Sequence, residues 1–564
     1  MNGSKNSFAS PEKLFIGTLV IVFATLAAYW PVFSAGFIWD DDAYVTGNTL
    51  LTAPDGWWRI WFSAHSQSQY FPLVYSTLRL EYAAWKLNPV GYHVVNVCLH
   101  IVNALLVWKL LRRFAVPGAW LAAAVFALHP VQVETVAWVT ELKNTESTLF
   151  YLLALFMWLD FAEGKGKPFY AASLLFLLLA LFAKTTACTF PAIALLLLWM
   201  QGEVIGWRRI AQILPFITLG LGMGLLSVWW EDHLGNYQSR YHLLGGPVER
   251  GLVASHALCF YAWKIFRPVD LTFSYPHWDI NAADWHQYLW PAACLAMAGG
   301  LWLLGRKYGR RVPAAAIFFV AVLSPMLGFI PLYTFYFSFV ADHYQYFACL
   351  GPITLAVAVA VSVVEKNPSL AGPAKVLPAL IIFALGFLTW SQCAIYKNLD
   401  TLWTDTLAKN PGSWMALTNL GRLRADAGDI AGAGDYYRRS IAVFPDNADT
   451  HYDYGNLFAR QNNSTAAAAE YEKALAIDPA NADAHNNLGA MLLRLKRPEE
   501  AVAQCQAAIA SKPGIAHYHY NFGTALMATG QTNAAIAEFQ TALRLDPGFN
   551  PAKNRLRALN VEAQ

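Results

Sequence analysis

LFIGTLVIVFATLAAYWPVFSAGFIWDDDAY, residues 14–44, runs an apolar stretch directly into three consecutive aspartates, Asp40, Asp41 and Asp42. The apolar run over 14–34 is long enough to cross a bilayer and longer than a signal-peptide core. More apolar runs follow at once, so it reads as a retained membrane anchor. Carboxylates at the mouth of such a helix are costly to place and hard to explain as packing. They point to chemistry at a membrane surface, with an acid as general base or metal ligand. A solvated acidic turn that caps the helix is the alternative reading of the same residues.

Composition extends the membrane reading and limits it. The chain has 564 residues, of which 56% are hydrophobic and 14% charged, and its mean hydropathy is +0.33. That is too apolar for a soluble protein and too polar for one wholly within a membrane. The average conceals two unlike parts: residues 1–397, rich in Leu, Phe, Trp and Ala, and residues from about 400 onward, polar and rich in Ala and Asn. A net charge of +3 gives no case for nucleic acid binding. The seven cysteines show no CxxC spacing and imply neither a disulfide framework nor a zinc site.

Further spans are expected near 93–111, 117–129, 147–162, 169–183, 187–201, 210–230, 287–305, 312–331, 346–364 and 375–395. Basic residues cluster at Arg112-Arg113, Lys165 with Lys167, Arg208-Arg209, Arg306 to Arg311, and Lys366 with Lys375. The positive-inside rule asks that all of them face the cytoplasm. They can do so only if 252–266, a short segment carrying His256 and Lys264, does not span. The expectation is therefore about eleven spans, with the loops 35–92, 129–146, the turn at Lys184, 231–286 and 332–345 facing outward, together with the polar C-terminal part.

That C-terminal part repeats. Pro411, Pro445, Pro479, Pro513 and Pro547 recur at a step of 34 residues, as do Gly421, Gly455, Gly489 and Gly523, with Ala433, Ala467, Ala501 and Ala535 between them. This is the tetratricopeptide pattern: a half repeat from Leu402 to Pro411, four full repeats and a capping helix over 550–564. Such arrays stack into a superhelix with a concave groove. Tyr452, Asn486 and Tyr520, with Asn487 and Asn521, are expected to face it, as a peptide groove or as a solvated face with structural asparagines.

The outward loops gather reactive side chains. His129-Pro130 leads to Glu134 and on to Glu141, Lys143 and Asn144; Lys184 interrupts two spans; Asp342-His343-Tyr344 precedes another; and Tyr275 to Asp279 adds an aromatic and acidic patch. Acids with Lys and His at one membrane face suit a phosphate-bearing lipid, with the cations holding phosphate and an acid taking a proton from the acceptor. Each has a duller use: Lys184 can snorkel, His129 and His343 can be buried and hydrogen-bonded, and Glu134 can pair with Lys143.

The order and sidedness of Phe37 to Asp41, His129-Pro130 with Glu134, the Glu141/Lys143/Asn144 segment, Lys184, Ala341 to Tyr344 with Gly351, and the repeats resemble one family. It is that of the transmembrane and tetratricopeptide-repeat O-mannosyltransferases and their bacterial relatives, within the GT-C glycosyltransferase superfamily. The resemblance implies an all-α chain. Residues 1–397 would form a polytopic GT-C-like core and 398–564 a tetratricopeptide α-solenoid on the outer face. It implies transfer of a monosaccharide from a polyprenyl-phosphate donor to a protein or peptide hydroxyl, with inversion in the superfamily's manner. The site would lie on the periplasmic face of a bacterial inner membrane, or the lumenal face of the endoplasmic reticulum. Asp40 or Asp41 would be the base, with Asp42 and Glu134 as additional acids. Lys184, Lys143 and His343 would bind the donor phosphate, and Lys184 would bear more of that role because His343 stands where many relatives have Arg. A divalent cation, if used, would sit on Asp40, Asp41 and Glu134. Two other readings stay open: a non-catalytic repeat scaffold in the membrane, and a ligase or polymerase of lipid-linked glycans.

Overall fold

The computed structural model describes residues 10–63, 69–234, 245–329, 333–370 and 372–561, and every regular element among them is a helix. Residues 235–244 of the expected 231–286 loop, and 330–332, lie outside the described residues. The chain forms two compact units, Met1–Asp405 and Thr406–Gln564. The division falls inside the helix Leu399–Lys409, a little past the boundary expected from composition.

Each stretch expected to span contains a helix among its described residues, but the helices are unequal. Among the described residues, five are long and apolar enough to cross a membrane: Pro11–Ala28, Pro89–Arg113, Trp207–Trp230, Trp285–Tyr308 and Val376–Ile395. A sixth exists only if Ala119–Leu128 and Pro130–Ala137, bent by 53°, count as one. The expected eleven therefore become five or six by this measure. Lys167–Ala183, Thr185–Met200 and Arg311–Met326 fall short of the roughly 20 residues a spanning helix needs. Leu350–Lys366 has 17 residues. Leu142–Ala162 is long enough but opens on Lys143, Asn144, Thr145 and Glu146.

Four of the five basic clusters meet at one end of the membrane unit. Arg113 pairs with Asp160 and Glu163, each at 2.7 Å. Arg209 donates to the Ala162 carbonyl (3.1 Å), Arg310 to Trp199 (3.0 Å) and Arg311 to Ala115 (3.3 Å). Leu142–Ala162 ends at this level and Lys167–Ala183 begins there. Their other ends, which carry Glu141, Lys143 and Lys184, stand about 25–30 Å away at 1.5 Å per residue.

The helix Pro247–Phe266 is not among those apolar enough to cross a membrane. The segment after it folds back along it: Tyr275 meets Phe260 (ring centroids 4.8 Å apart), Trp278 stacks on His256 (3.6 Å), and Ile280 joins the cluster containing Val253. The next helix, Leu289–Tyr308, starts beside the first and runs parallel to it, with Trp290 stacked on His256 at 4.1 Å. Helix and return segment form a hairpin that begins and ends at one level, so Arg306 to Arg311 stay with the other basic clusters.

In the second unit, helix pairs from Trp414–Asp426 to Thr532–Leu545 stack in order, and Asn550–Ala558 covers the last. Ser413, Asp429, Asn447, Asn463 and Asn481 cap five of these helices, each side chain accepting the N–H three residues on. The repeated glycines let paired helices touch: a Cβ on Gly455 would lie 2.7 Å from the Tyr471 ring. The residues expected to face the groove are largely bonded to one another across repeats. Asn487 donates to Tyr452 (3.3 Å) and Asn456 (3.1 Å), Asn521 donates to Asn486 (2.8 Å), and the Tyr520 ring packs against Phe539 and Phe549.

Candidate active site

The first acids are positioned by a strained turn. Trp39 adopts φ +46°, a left-handed conformation that a bulky residue holds only when its surroundings enforce it. Here the indole is held edge-on by Trp403 (5.1 Å), Phe337 (6.1 Å) and Phe273 (6.5 Å). The turn sends the three aspartates to three different environments. Asp41 is fully buried; one carboxylate oxygen accepts the Ile38 N–H (2.8 Å) and the other accepts the Thr140 N–H (2.9 Å) and hydroxyl (2.5 Å). Burial pushes it up to about 7 against those three donors. Asp42 is exposed and accepts the N–H of its neighbour Ala43. Asp40 is half-buried, and no described residue hydrogen-bonds its carboxylate. Burial, opposed by the Lys143 charge, lifts it to about 6.

Glu141 is the hub of the cation cluster. It is fully buried, with Lys143 Nζ at 2.8 Å, Lys184 Nζ at 3.6 Å and His343 Nε2 at 3.9 Å, and it accepts a hydrogen bond from Asn144. Burial alone would raise its pKa, but the surrounding cations hold the carboxyl well below its usual range. Lys143 lies 5.7 Å from the ring centres of both Tyr44 and Trp138, which define its remaining walls. Lys184 donates to Asn144 Oδ1 at 2.7 Å, and burial, only partly offset by Glu141, lowers it to about 8.

Glu134 reaches the 342–345 turn. It accepts the His343 N–H (2.9 Å), and its other oxygen lies 3.1 Å from His343 Nδ1. Asp342 turns away to accept the Tyr275 hydroxyl (3.1 and 3.2 Å), and burial raises its pKa well above the carboxylate range. His129 stands apart from this group: Nε2 donates to the Ile265 carbonyl (2.8 Å) while Nδ1 accepts the Val131 N–H (3.4 Å), so both nitrogens are engaged at the bend of the 119–137 helix pair. Among the described residues no three His, Cys, Asp or Glu side chains come together to hold a metal ion. Asp40, Asp41 and Glu134 do not form such a set, because both oxygens of Asp41 have donors and Glu134 faces His343.

Lys184, Asn144 and Tyr344 line a cleft of about 490 Å³, open space at its mouth included, with the hydroxyls of Ser147, Thr148 and Thr186. A buried cation beside hydroxyls and an amide is an arrangement that can bind a phosphate. Sequence reasoning did not single out Thr140 or the cleft hydroxyls, although Thr140 adjoins Glu141 and Thr186 lies two residues after Lys184.

These features define a class: an all-helical membrane protein with an acid and cation site at one end of its bundle, followed by tetratricopeptide repeats. Family profiles described as tetratricopeptide repeat match residues 401–448, 418–481 and 452–514, and a further one matches 516–549. The relatives narrow the class. The Caenorhabditis elegans protein O-mannosyl-transferase F38B6.6 is 22% identical over 448 residues, covering 76% of this chain and 62% of its own. Mouse protein O-mannosyl-transferase TMTC3 is 22% identical over 497 residues, 79% of this chain and 53% of its own. Human protein O-mannosyl-transferase TMTC2 is 29% identical over 242 residues, covering 39% of this chain and 29% of its own. The likeness is thus to the proteins that the motifs resemble, and this chain spans 62% and 53% of the length of the first two.

Proposed function

We propose that the chain is a membrane glycosyltransferase that moves a monosaccharide from a polyprenyl-phosphate donor to a hydroxyl of a protein or peptide, with the repeats holding the acceptor or a partner. The observation that carries this reading is a division of labour in one site. Asp40 is a half-buried acid with no hydrogen-bond donor among the described residues, while Lys184, held by Asn144 and Glu141, lines a cleft together with several hydroxyl-bearing side chains. In the step proposed, the acceptor hydroxyl loses its proton to Asp40 and its oxygen attacks the anomeric carbon. The bond from that carbon to the phosphate oxygen breaks, and Lys184 neutralises the departing phosphate, with Lys143 and His343 behind it. Glu141 fixes the cations without competing for the proton. A single displacement of this kind inverts the anomeric carbon. The relatives' names make mannose the first sugar to test.

The basic clusters at the opposite end support placing this site on the periplasmic or lumenal face. The last apolar helix ends beside the site, where the Lys397 carbonyl accepts the Gly36 N–H at 2.9 Å, which supports the same face for the repeats.

The test is transfer of labelled mannose from synthetic polyprenyl-phosphate mannose to peptides or membrane extract, with and without chelator. Wild type would run beside Asp40→Asn and Lys184→Ala. Transfer that chelator leaves intact, that Asp40→Asn abolishes and that Lys184→Ala cuts strongly is the expected result. Transfer onto a lipid-linked glycan instead of a peptide would make the chain a ligase or polymerase. Full activity in Asp40→Asn would overturn the role given to that residue.

A further inference from the structure

Two of the seven cysteines are neighbours in space although 35 residues apart in the chain. Cys259, on Pro247–Phe266, and Cys294, on Leu289–Tyr308, bring their sulfurs to 3.7 Å. The approach follows from how these two helices pack. His256 and Trp290 stack one turn earlier on each helix, and because the helices run parallel, the next residues on the shared face are the two cysteines. Cys294 Sγ also lies 3.5 Å from the Ser255 carbonyl, on the same side of the first helix. A disulfide holds its sulfurs about 2 Å apart, so the pair has less than about 2 Å left to close. Both cysteines are only partly buried by the rest of the protein.

We propose that Cys259 and Cys294 form a reversible disulfide that clamps the Pro247–Phe266 hairpin to the helix beside it. One cysteine thiolate attacks the S–S bond of a disulfide oxidant, a thiol–disulfide oxidoreductase or oxidised glutathione. That bond breaks, a mixed disulfide forms and one oxidant thiolate leaves. The second cysteine then attacks the mixed disulfide and releases the other oxidant thiolate. One S–S bond is made, one is broken, and the two thiol protons end on the reduced oxidant. The hairpin is the element that carries Tyr275 to Asp342 and Phe273 to Trp138 (ring centroids 5.0 Å apart), so the clamp fixes a wall of the candidate site.

The test uses full-length protein in detergent, reduced, then exposed to oxidised glutathione, acid-quenched, denatured and alkylated. Intact mass is expected to show two fewer alkylated cysteines, and a peptide map to show 259 joined to 294, with dithiothreitol reversing both. Cys259→Ser and Cys294→Ser, each checked for a wild-type thermal transition, are expected to lose the cross-link. Retention of all seven alkylatable thiols in the wild type, or a cross-link between other cysteines, would overturn the proposal. The readout does not involve sugar transfer, so its failure is distinct from a failure of the enzymatic reading.

Discussion

Asp40 and Asp41 are chemically identical and one peptide bond apart, yet only one has its oxygens free. Asp41 satisfies three buried donors, and removing its carboxylate would strand them at about 1–3 kcal/mol for each group left unpaired. Asp41→Ala is accordingly expected to lower the thermal transition markedly. Asp40→Asn is expected to leave that transition unchanged while slowing transfer by about 10²–10⁴-fold, the usual worth of a positioned base. A base must be ionised, so the rate should fall as the pH drops through about 6, where Asp40 protonates. It should fall again above about 8, where Lys184 loses its charge. A flat profile between pH 5 and 9 would contradict both roles. Glu81 offers a check on stability alone. It is 4% exposed, neither of its carboxylate oxygens has a hydrogen-bond partner, and burial, reinforced by Glu146, pushes it from 4.5 to about 9. Across that window the folded chain holds a proton that the unfolded chain releases, so stability declines as pH rises. Glu81→Gln should therefore raise the unfolding temperature at pH 8 and change little at pH 4; the reverse order would mean that the carboxylate is charged in the fold.

Among the elements, the repeat helices show how a small residue serves packing against its own propensity. Alanine favours a helix over glycine by about 1 kcal/mol. At Gly455, however, a Cβ would meet the Tyr471 ring at 2.7 Å, and overpacking of this kind costs about 1–3 kcal/mol. Gly455→Ala is expected to destabilise the repeats, read as faster proteolysis of the C-terminal half of the full-length chain. Equal or slower proteolysis would show that the ring yields without cost. The helix pair bent at His129 makes a related point in the membrane unit. Pro130 interrupts the ladder, and His129 caps the break through Val131 and ties it to Ile265. His129, a site candidate by its place in the outward loops, shapes the element that presents Glu134.

For the whole molecule, the separation of charge sets the expected orientation. The arginines gathered around Asp160 and Glu163, with Arg310 and Arg311 tied to neighbouring helix ends, form one level, and the acid and cation site forms the other. In oriented membranes a membrane-impermeant thiol reagent is expected to label Asp42→Cys and Asn533→Cys from the periplasmic or lumenal side, and Lys307→Cys only after permeabilisation. Labelling of Lys307→Cys from the same side as Asp42→Cys would mean that Pro247–Phe266 crosses the membrane after all.

Several of these features were legible in the chain itself. The 34-residue step of proline and glycine determined the repeat array, because each repeat can bury its apolar face only against a neighbour of the same length. The apolar runs and basic clusters determined a membrane unit with two unlike ends, because charge and bilayer thickness act on composition before any contact forms. The acids and cations of the site were recognisable by type. Their division into roles belonged to tertiary structure. Which aspartate is free depends on Thr140, 99 residues from Asp41; whether His129 is reactive depends on Ile265, 136 residues away; and the Asn486, Asn487 and Asn521 amides turn inward because other repeats stand opposite them. Hydrogen-bond partners at such separations leave no local periodicity. The approach of Cys259 to Cys294 and the return of the chain along Pro247–Phe266 arise in the same way, from side chains that meet only after the helices have packed.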